Sequence, residues 1–246
     1  MLSKMFYEGA DYEEVLKEAQ EKGYAERNPE ADVEGYDACR KIAILSSLIS
    51  GQQVDFEDIY TEGITQITKE DMMYAKAMGM TIKLLACSRR DEDHIHAIVA
   101  PYLLSSSHPL YSVNDVFNAI FVHGNVLGDA MFYGSGAGKL PTASAVVSDI
   151  VDEVKHLNRN IMTMWDQDKV ELLPISDTSK RFFVRIKGEP QAMKAHLESK
   201  FGPIEIVQVE PLEGEFGFLT EIMTEGHFEQ WQKEFPSILH RIRVEG

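Results

Sequence analysis

The chain has 246 residues, and its 40 acidic and 24 basic side chains give a formal net charge of −16. That length fits one large domain or two modest ones, and 44% hydrophobic residues exclude a disordered or collagen-like chain. The acidity disfavours nucleic acids and anionic membranes as partners. Only two cysteines are present, which excludes a disulfide scaffold. With no apolar run near the roughly 20 residues of a membrane span and no signal peptide, we expect a cytoplasmic protein.

Helical patterns dominate the first third of the chain. Three helices are predicted there, beginning at Asp11, at about Asp37 and at Thr68, and ending at Gly23, Ser50 and Gly79. Asp11 with Glu14, and Thr68 with Asp71, have the spacing of capping boxes. The second helix is apolar on nearly all sides, so we expect it to be buried.

Strand patterns replace the helical ones after Gly79. Residues typical of strands, set between turn signals, predict strands over 80–88, 94–100, 117–124 and 125–134. The last two strands, joined at Gly124–Asn125, are predicted to form a hairpin. A glycine-rich loop, GSGAGKLP, then leads into a helix over 141–158.

The last part of the chain has a different organisation. Residues 158–180 form a mixed connector, where we place a domain boundary, and strand, helix, strand, strand, helix, strand follow. That βαββαβ order is typical of the ferredoxin-like fold. The predicted fold class is therefore α/β (α+β): a mixed open sheet with covering helices over 1–165, followed by a ferredoxin-like domain over 175–246.

Four charged residues lie close together in sequence before and within the second predicted helix. Glu26 and Asp32 lie on the segment that leads into this helix, and Asp37 and Lys41, four residues apart, share a face of it. A lysine beside carboxylates is suited to donate and accept protons, because its surroundings tune its pKa. The alternative, which composition alone favours, is a salt-bridged helix N-terminus without a catalytic role.

The glycine-rich loop offers a second candidate site. Gly136, Ala137 and Gly138 precede a helix, and backbone N–H groups in such a place can meet an anion or a cofactor amide. The spacing to Lys139 is wrong for a Walker A loop, and no G-x-G-x-x-G motif is present. Taken alone, the loop is better explained as a packing turn.

Two histidines in one predicted strand raise the question of a metal site. His94 and His96 would point to the same face of that strand. No third ligand follows at a convincing spacing, so we predict no metal site.

The segment around the four charged residues resembles the signature of the homoserine dehydrogenase family. The matching positions are Ala19, Gly23, Tyr24, Ala25, Asn28, Pro29, Asp32, Val33, Gly35, Asp37 and Lys41. The stretch over 115–152 is similar to the family's second characteristic block, so the resemblance covers most of residues 1–157.

The resemblance implies an oxidoreductase of threonine and methionine biosynthesis that interconverts L-homoserine and L-aspartate 4-semialdehyde. It implies that Lys41 handles the proton at the substrate oxygen and that Asp37 orients Lys41. Glu26 and Asp32 would pair with the substrate ammonium, and Tyr24 would contact the substrate. Gly136, Ala137 and Gly138 would lie beside the nicotinamide end of NADP or NAD.

Family members normally begin with a dinucleotide-binding domain, and no such unit occurs in this sequence. We therefore expect the chain alone to be inactive. The resemblance implies a homodimer or higher oligomer, and the βαββαβ part resembles an ACT domain, which would allow an amino-acid effector. The rival hypothesis is a non-enzymatic module for amino-acid sensing or dimerisation.

Overall fold

The computed structural model describes residues 1–22, 27–90, 94–162 and 165–245. The helices among them are α1 (Leu2–Glu8), α2 (Tyr12–Glu21), α3 (Glu30–Val33), α4 (Tyr36–Ser50), α5 (Lys69–Ala77), α6 (Lys139–Lys155), α7 (Pro190–Phe201) and α8 (Glu225–Gln232). None of these helices combines the length and the hydropathy needed to traverse a bilayer.

Twelve strands lie in the same described ranges, and the two longest have eleven residues each. The twelve are β1 (Gln52–Gln53), β2 (Tyr60–Thr61), β3 (Met80–Arg90), β4 (Ile95–Ser105), β5 (Phe117–Gly124), β6 (Gly128–Ser135), β7 (Asp166–Lys169), β8 (Ser179–Lys187), β9 (Glu205–Val207), β10 (Glu215–Leu219), β11 (Met223–Thr224) and β12 (Ile238–Glu245).

One mixed sheet runs through most of the molecule. Its main path is β2-β4-β12-β8-β10-β9, with β3 antiparallel to β4 and β11 paired to β8. The four strands β12-β8-β10-β9 lie in the order expected for the predicted ferredoxin-like pattern. The predicted mixed open sheet with covering helices is therefore confirmed.

One edge of strand β4 pairs with two different strands, each over a short stretch. β2 pairs parallel with β4 at Ile98 and Val99, and β12 pairs parallel with β4 over 102–104. Pro101 lies between these two registers. The end of β2 therefore lies close to Arg243, where β12 begins to pair with the same strand, although the two are far apart in sequence.

Two hydrophobic cores involve the C-terminal unit, defined here as residues 179–245. Its own core packs aromatic side chains between the sheet and the helices α7 and α8, among them Phe182, Phe201, Phe216, Phe218 and Phe228. A second core unites α1 and α5 with β8 and β12. The C-terminal unit is therefore packed directly on the N-terminal helices, and the domain boundary predicted between 165 and 175 stays a prediction.

Buried ion pairs reinforce this packing. Arg185 Nη1 on β8 lies 2.9 Å from Asp71 Oδ1 on α5, and His240 Nδ1 lies 3.0 Å from Asp71 Oδ2. Burial acts to raise the pKa of Asp71, but His240 and Arg185 outweigh burial and hold it below the usual value. Asp71 is fully buried, and its removal would leave Glu215, 3.0 Å from Arg185 Nη2, as the one carboxylate near Arg185 that is paired at this distance among the described residues.

The exposed segment, defined here as residues 117–157, contrasts with that unit. It consists of the two-stranded sheet β5–β6 and the helix α6, and none of the seventeen residues of α6 is buried. Large apolar side chains face solvent on both elements, including Phe132 at 68% exposure. Exposed apolar surface of this extent is typical of a surface that another structure covers.

Local sequence predictions held at one helix start and failed at another. Thr68 and Asp71 form the predicted capping box of α5. The capping box predicted at Asp11 is wrong, because the Asp11 side chain makes no cap hydrogen bond and its Oδ2 lies 2.6 Å from Lys69 Nζ. A long-range ion pair thus competes with the local cap.

Candidate functional site

The start of α4 is fixed by close packing around one glycine. Gly35 is the N-cap residue of α4 and has a φ of 79°, a conformation that favours glycine. A Cβ at this position would lie 3.1 Å from Val99 Cγ1 and 3.4 Å from Thr61 Cγ2. The helix therefore begins directly against β2 and β4. The prediction that the whole helix is buried is wrong, because Ile44, Leu48 and Ile49 on its other side are about half exposed.

Asp37 and Lys41 lie together on the first two turns of α4. Lys41 Nζ is 2.7 Å from Asp37 Oδ2, and the two side chains are 67% and 51% exposed. An ion pair this exposed adds little to stability. Both polar groups are instead accessible to a ligand from solvent.

The other predicted substrate-binding residues are only partly described. Asp32 lies on α3, one short helix before α4, and is exposed. Tyr24 and Glu26 fall outside the described residues. The structure thus brings Asp37 and Lys41 into contact. Asp32 lies on the preceding helix, three residues before Gly35.

The glycine-rich loop joins β6 to α6 on the exposed segment. A Cβ at Gly136 would lie 1.5 Å from Asn118 Nδ2, so a larger residue here would have to displace the Asn118 side chain. The Gly136 N–H donates to Val116 O at 3.0 Å, and Gly138, with a φ of 121°, is the N-cap residue of α6. Ala137 lies between them and is exposed. The loop is tied to the base of the hairpin and opens to solvent at the positive end of a helix.

The prediction that His94 and His96 form no metal site stays a prediction. Within residues 1–22, 27–90, 94–162 and 165–245, no three His, Cys, Asp or Glu side chains form a group suited to a metal ion. Asp91–Asp93 lie outside those ranges.

Two clefts lie away from the Asp37–Lys41 pair. One, of about 650 Å³, borders Arg181 and Thr220 in the C-terminal unit, and the other, of about 730 Å³, lies between residues 57–60 and 169–175. Neither is lined by the predicted catalytic pair or by the glycine-rich loop. Asp37 and Lys41 are instead exposed on the surface of the part of the chain that the structure describes.

Two charged residues that the sequence did not single out lie near functional elements. Lys83 Nζ on β3 is 2.7 Å from Asn114 Oδ1, just before the hairpin, and burial lowers the pKa of Lys83 to about 8. Glu62 follows β2 beside the start of α4. Their contacts are long-range, so no local spacing pattern could have identified them.

Comparison with known proteins identifies relatives of this chain. The family model described as homoserine dehydrogenase matches residues 1–151. The homoserine dehydrogenase of Bacillus subtilis is 48% identical over 161 residues, which cover 65% of this chain and 37% of that protein. The homoserine dehydrogenase of Pseudomonas aeruginosa is 36% identical over 252 residues, which cover 99% of this chain and 56% of that protein.

Solved structures similar to this chain also include homoserine dehydrogenases. A homoserine dehydrogenase from Thiobacillus denitrificans superposes with a TM-score of 0.85 at 33% identity, covering 99% of this chain and 61% of that one. A hyperthermophilic archaeal homoserine dehydrogenase mutant in complex with NADPH gives a TM-score of 0.51 at 30% identity, covering 65% of this chain and 45% of that one.

The chain spans about half the length of these curated relatives, from 37% to 56%. The family model nevertheless matches more than half of the present sequence, including the first block that carries the resemblance and all but the last residue of the second. On these findings, the chain belongs to the homoserine dehydrogenase family.

Proposed function

We propose that this chain is the substrate-binding part of an oxidoreductase that interconverts L-homoserine and L-aspartate 4-semialdehyde with NAD(P)(H). The observation that carries the proposal is the Asp37–Lys41 pair at the start of α4, inside the region matched by the family model. That match favours the enzyme over the non-enzymatic sensing or dimerisation module.

The reaction needs a group that exchanges a proton at the substrate oxygen. Oxidation of a primary alcohol removes a hydride from carbon and a proton from oxygen, and a bound nicotinamide supplies the hydride exchange. In our proposal Lys41 holds the proton at the substrate oxygen, and Asp37, 2.7 Å away, orients the Lys41 side chain. Asp32 and Glu26 pair with the substrate ammonium, and Tyr24 contacts the substrate.

The glycine-rich loop fits contact with one end of the cofactor. Gly136, Ala137 and Gly138 present no bulky side chain, lie at the surface and precede the N-terminus of α6. A whole dinucleotide needs a larger surface than this loop, so we propose that a dinucleotide-binding domain holds most of it. The NADPH complex of the archaeal relative supports NADP or NAD as the cofactor.

Assembly and regulation belong to the same proposal. We propose a homodimer or higher homo-oligomer, which the extent of the exposed segment supports. The C-terminal unit is proposed as an ACT-like regulatory domain, supported by its strand order. ACT domains usually bind amino acids through the loop after their first strand, and the corresponding loop here, residues 188–191, shares with them only Pro190, the first residue of α7.

Lys41→Ala tests the proposed chemistry. The protein is this chain joined to a dinucleotide-binding domain of the family, and the assay is homoserine-dependent reduction of NADP. We expect kcat to fall by about 10²- to 10⁴-fold, the range for loss of a general acid–base group. The melting temperature should stay nearly unchanged, because the Asp37–Lys41 pair is exposed.

Lys194→Ala is the matched control. Lys194 forms an exposed pair with Glu198, also four residues apart on a helix, in the C-terminal unit. Its loss should leave kcat unchanged. Equal turnover in the Lys41→Ala and unmodified proteins would refute the assignment, and a folded unmodified fusion without activity would refute the proposed function.

A further inference from the structure

One carboxylate connects the C-terminal unit to the start of α4. Glu62 comes immediately after β2, and its backbone N–H donates to Val99 O at 2.8 Å. Arg243 of β12 is aligned with Tyr102, three residues further along β4. Because both partners lie along the same edge of β4, the Glu62 side chain reaches Arg243.

The Glu62 side chain is held by charge and by hydrogen bonds. Its Oε2 accepts from Arg243 Nη1 at 2.7 Å and from the Tyr60 hydroxyl at 3.1 Å. Burial alone would raise the pKa of Glu62, but the charges of Arg243 and Arg241 outweigh burial and lower it. Glu62 is therefore ionised at neutral pH and fixed in one place.

Arg243 is itself held rigidly. It is completely buried, and its Nη2 donates to Glu225 Oε2 at 2.9 Å in addition to the bond with Glu62. Glu225, at the start of α8, is 1% exposed. Glu225 pairs with Nε and Nη2 of Arg243, whereas Nη1 donates to Glu62, so a shift of Glu62 would remove the carboxylate that this end of the buried guanidinium contacts.

The backbone that follows Glu62 forms the support for the residues before α4. Ile64 N–H donates to Val33 O at 2.7 Å, and a Cβ at Gly63 would lie 2.4 Å from the same oxygen. Gly35, the N-cap of α4, packs on Thr61. A displacement of residues 61–64 must therefore displace residues 33–35, and α4 begins from those residues.

We propose that Glu62 is a positioning residue: its ion pair with Arg243 fixes residues 61–64 and thereby the orientation of Asp37 and Lys41. Through this contact the C-terminal unit acts on the candidate site without touching the substrate. The inference deepens the proposed function and rests on it for its kinetic consequence. The structural half, restraint of residues 33–39 by Glu62, stands independently.

Glu62→Gln tests both halves in the fused protein described above. Glutamine keeps the shape and a hydrogen-bond acceptor but removes the charge. We expect kcat/KM for homoserine to fall by about tenfold, with a raised KM for homoserine and an unchanged KM for NADP, because misplacing positioned groups by small distances costs rate. Amide hydrogen exchange over residues 33–39 should accelerate.

Arg89→Gln is the matched control. Arg89 on β3 pairs with Glu245 on β12, so it also joins the N-terminal part to the C-terminal unit, but it lies away from residues 61–64. This variant should change neither the homoserine kinetics nor exchange over 33–39. The same kinetics and exchange in both variants would overturn the inference.

Tyr60→Phe provides a milder variant in case Glu62→Gln fails to fold. It removes one hydrogen bond to Glu62 and keeps the charge, so a smaller effect in the same direction is expected. Unaltered exchange over 33–39 in a folded variant would refute the restraint. If the unmodified fusion is inactive, the proposed function fails, whereas the exchange result still decides whether Glu62 restrains the start of α4.

Discussion

The C-terminal unit and the exposed segment both carry many large apolar side chains, and they use them differently. In the C-terminal unit, Phe201, Phe218 and Phe228 are essentially inaccessible, and Phe201 packs against each of the other two. In the exposed segment, Phe132 and Val147 are more than half exposed. Composition therefore shows that a region has apolar surface to bury, whereas topology decides whether this chain buries it.

The largest expected difference between the two regions comes from removing one phenylalanine in each. Phe201→Ala should lower the free energy of unfolding by about 3–5 kcal/mol, because it opens a cavity in a closed core. Phe132→Ala should change it by less than about 0.5 kcal/mol, as for an exposed position. Urea unfolding monitored by circular dichroism measures both. Similar losses would mean that the exposed segment is covered in solution.

The second largest effect is expected from acidification, which should weaken the ion pairs of the C-terminal unit. The pKa values of Asp71 and Glu62 lie below their ordinary values of 3.8 and 4.5. Their ionised forms therefore stabilise the fold above about pH 4.5, and this contribution is lost as the pH falls through the lowered pKa values. Urea unfolding at about pH 7, 5 and 3 measures the loss.

The Asp71→Asn variant should have a lower free energy of unfolding at neutral pH, and this free energy should depend less steeply on pH below about 4.5. An unchanged pH dependence would contradict a stabilising role of the ionised Asp71.

The smallest effect on stability is expected on α6. Val147, Val151 and Val154 share one exposed face of this helix. Val151→Lys should change the free energy of unfolding by less than about 0.5 kcal/mol but reduce self-association measured by sedimentation velocity.

Ala145→Lys adds the same charge on the opposite face of α6 and should leave association unchanged. If both variants associate like the original chain, the valine face is not the surface through which copies meet.

The sequence predicted those features that depend on neighbouring residues. The cap at Thr68 and Asp71, the βαββαβ order and the Asp37–Lys41 pair all follow from spacings of a few residues. The helix α1, over Leu2–Glu8, was not predicted. Most of the fold class and the central pair of the site were therefore accessible from sequence.

Features that depend on distant residues were not accessible. The partner of Asp11 is Lys69, and the partner of Glu62 is 181 positions away. The join between β4 and β12 likewise has no signature in either strand. Pairing of this kind is decided by the packing of whole elements, which no short window of sequence contains.

Pro101 in β4 allows β2, from the N-terminal part, and β12, from the C-terminal unit, to pair with the same edge of one strand. Val99 O accepts from Glu62 N, so the backbone of Val99 faces β2, and residues two apart along a strand face the same edge. Pro101 therefore faces the gap between β2 and β12. Because proline has no N–H, no donor is stranded where one neighbour ends and the next begins. The hydrogen bonds along this edge of β4 can therefore pass from β2 to β12 at Pro101 without an unpaired N–H and without a break in β4 itself.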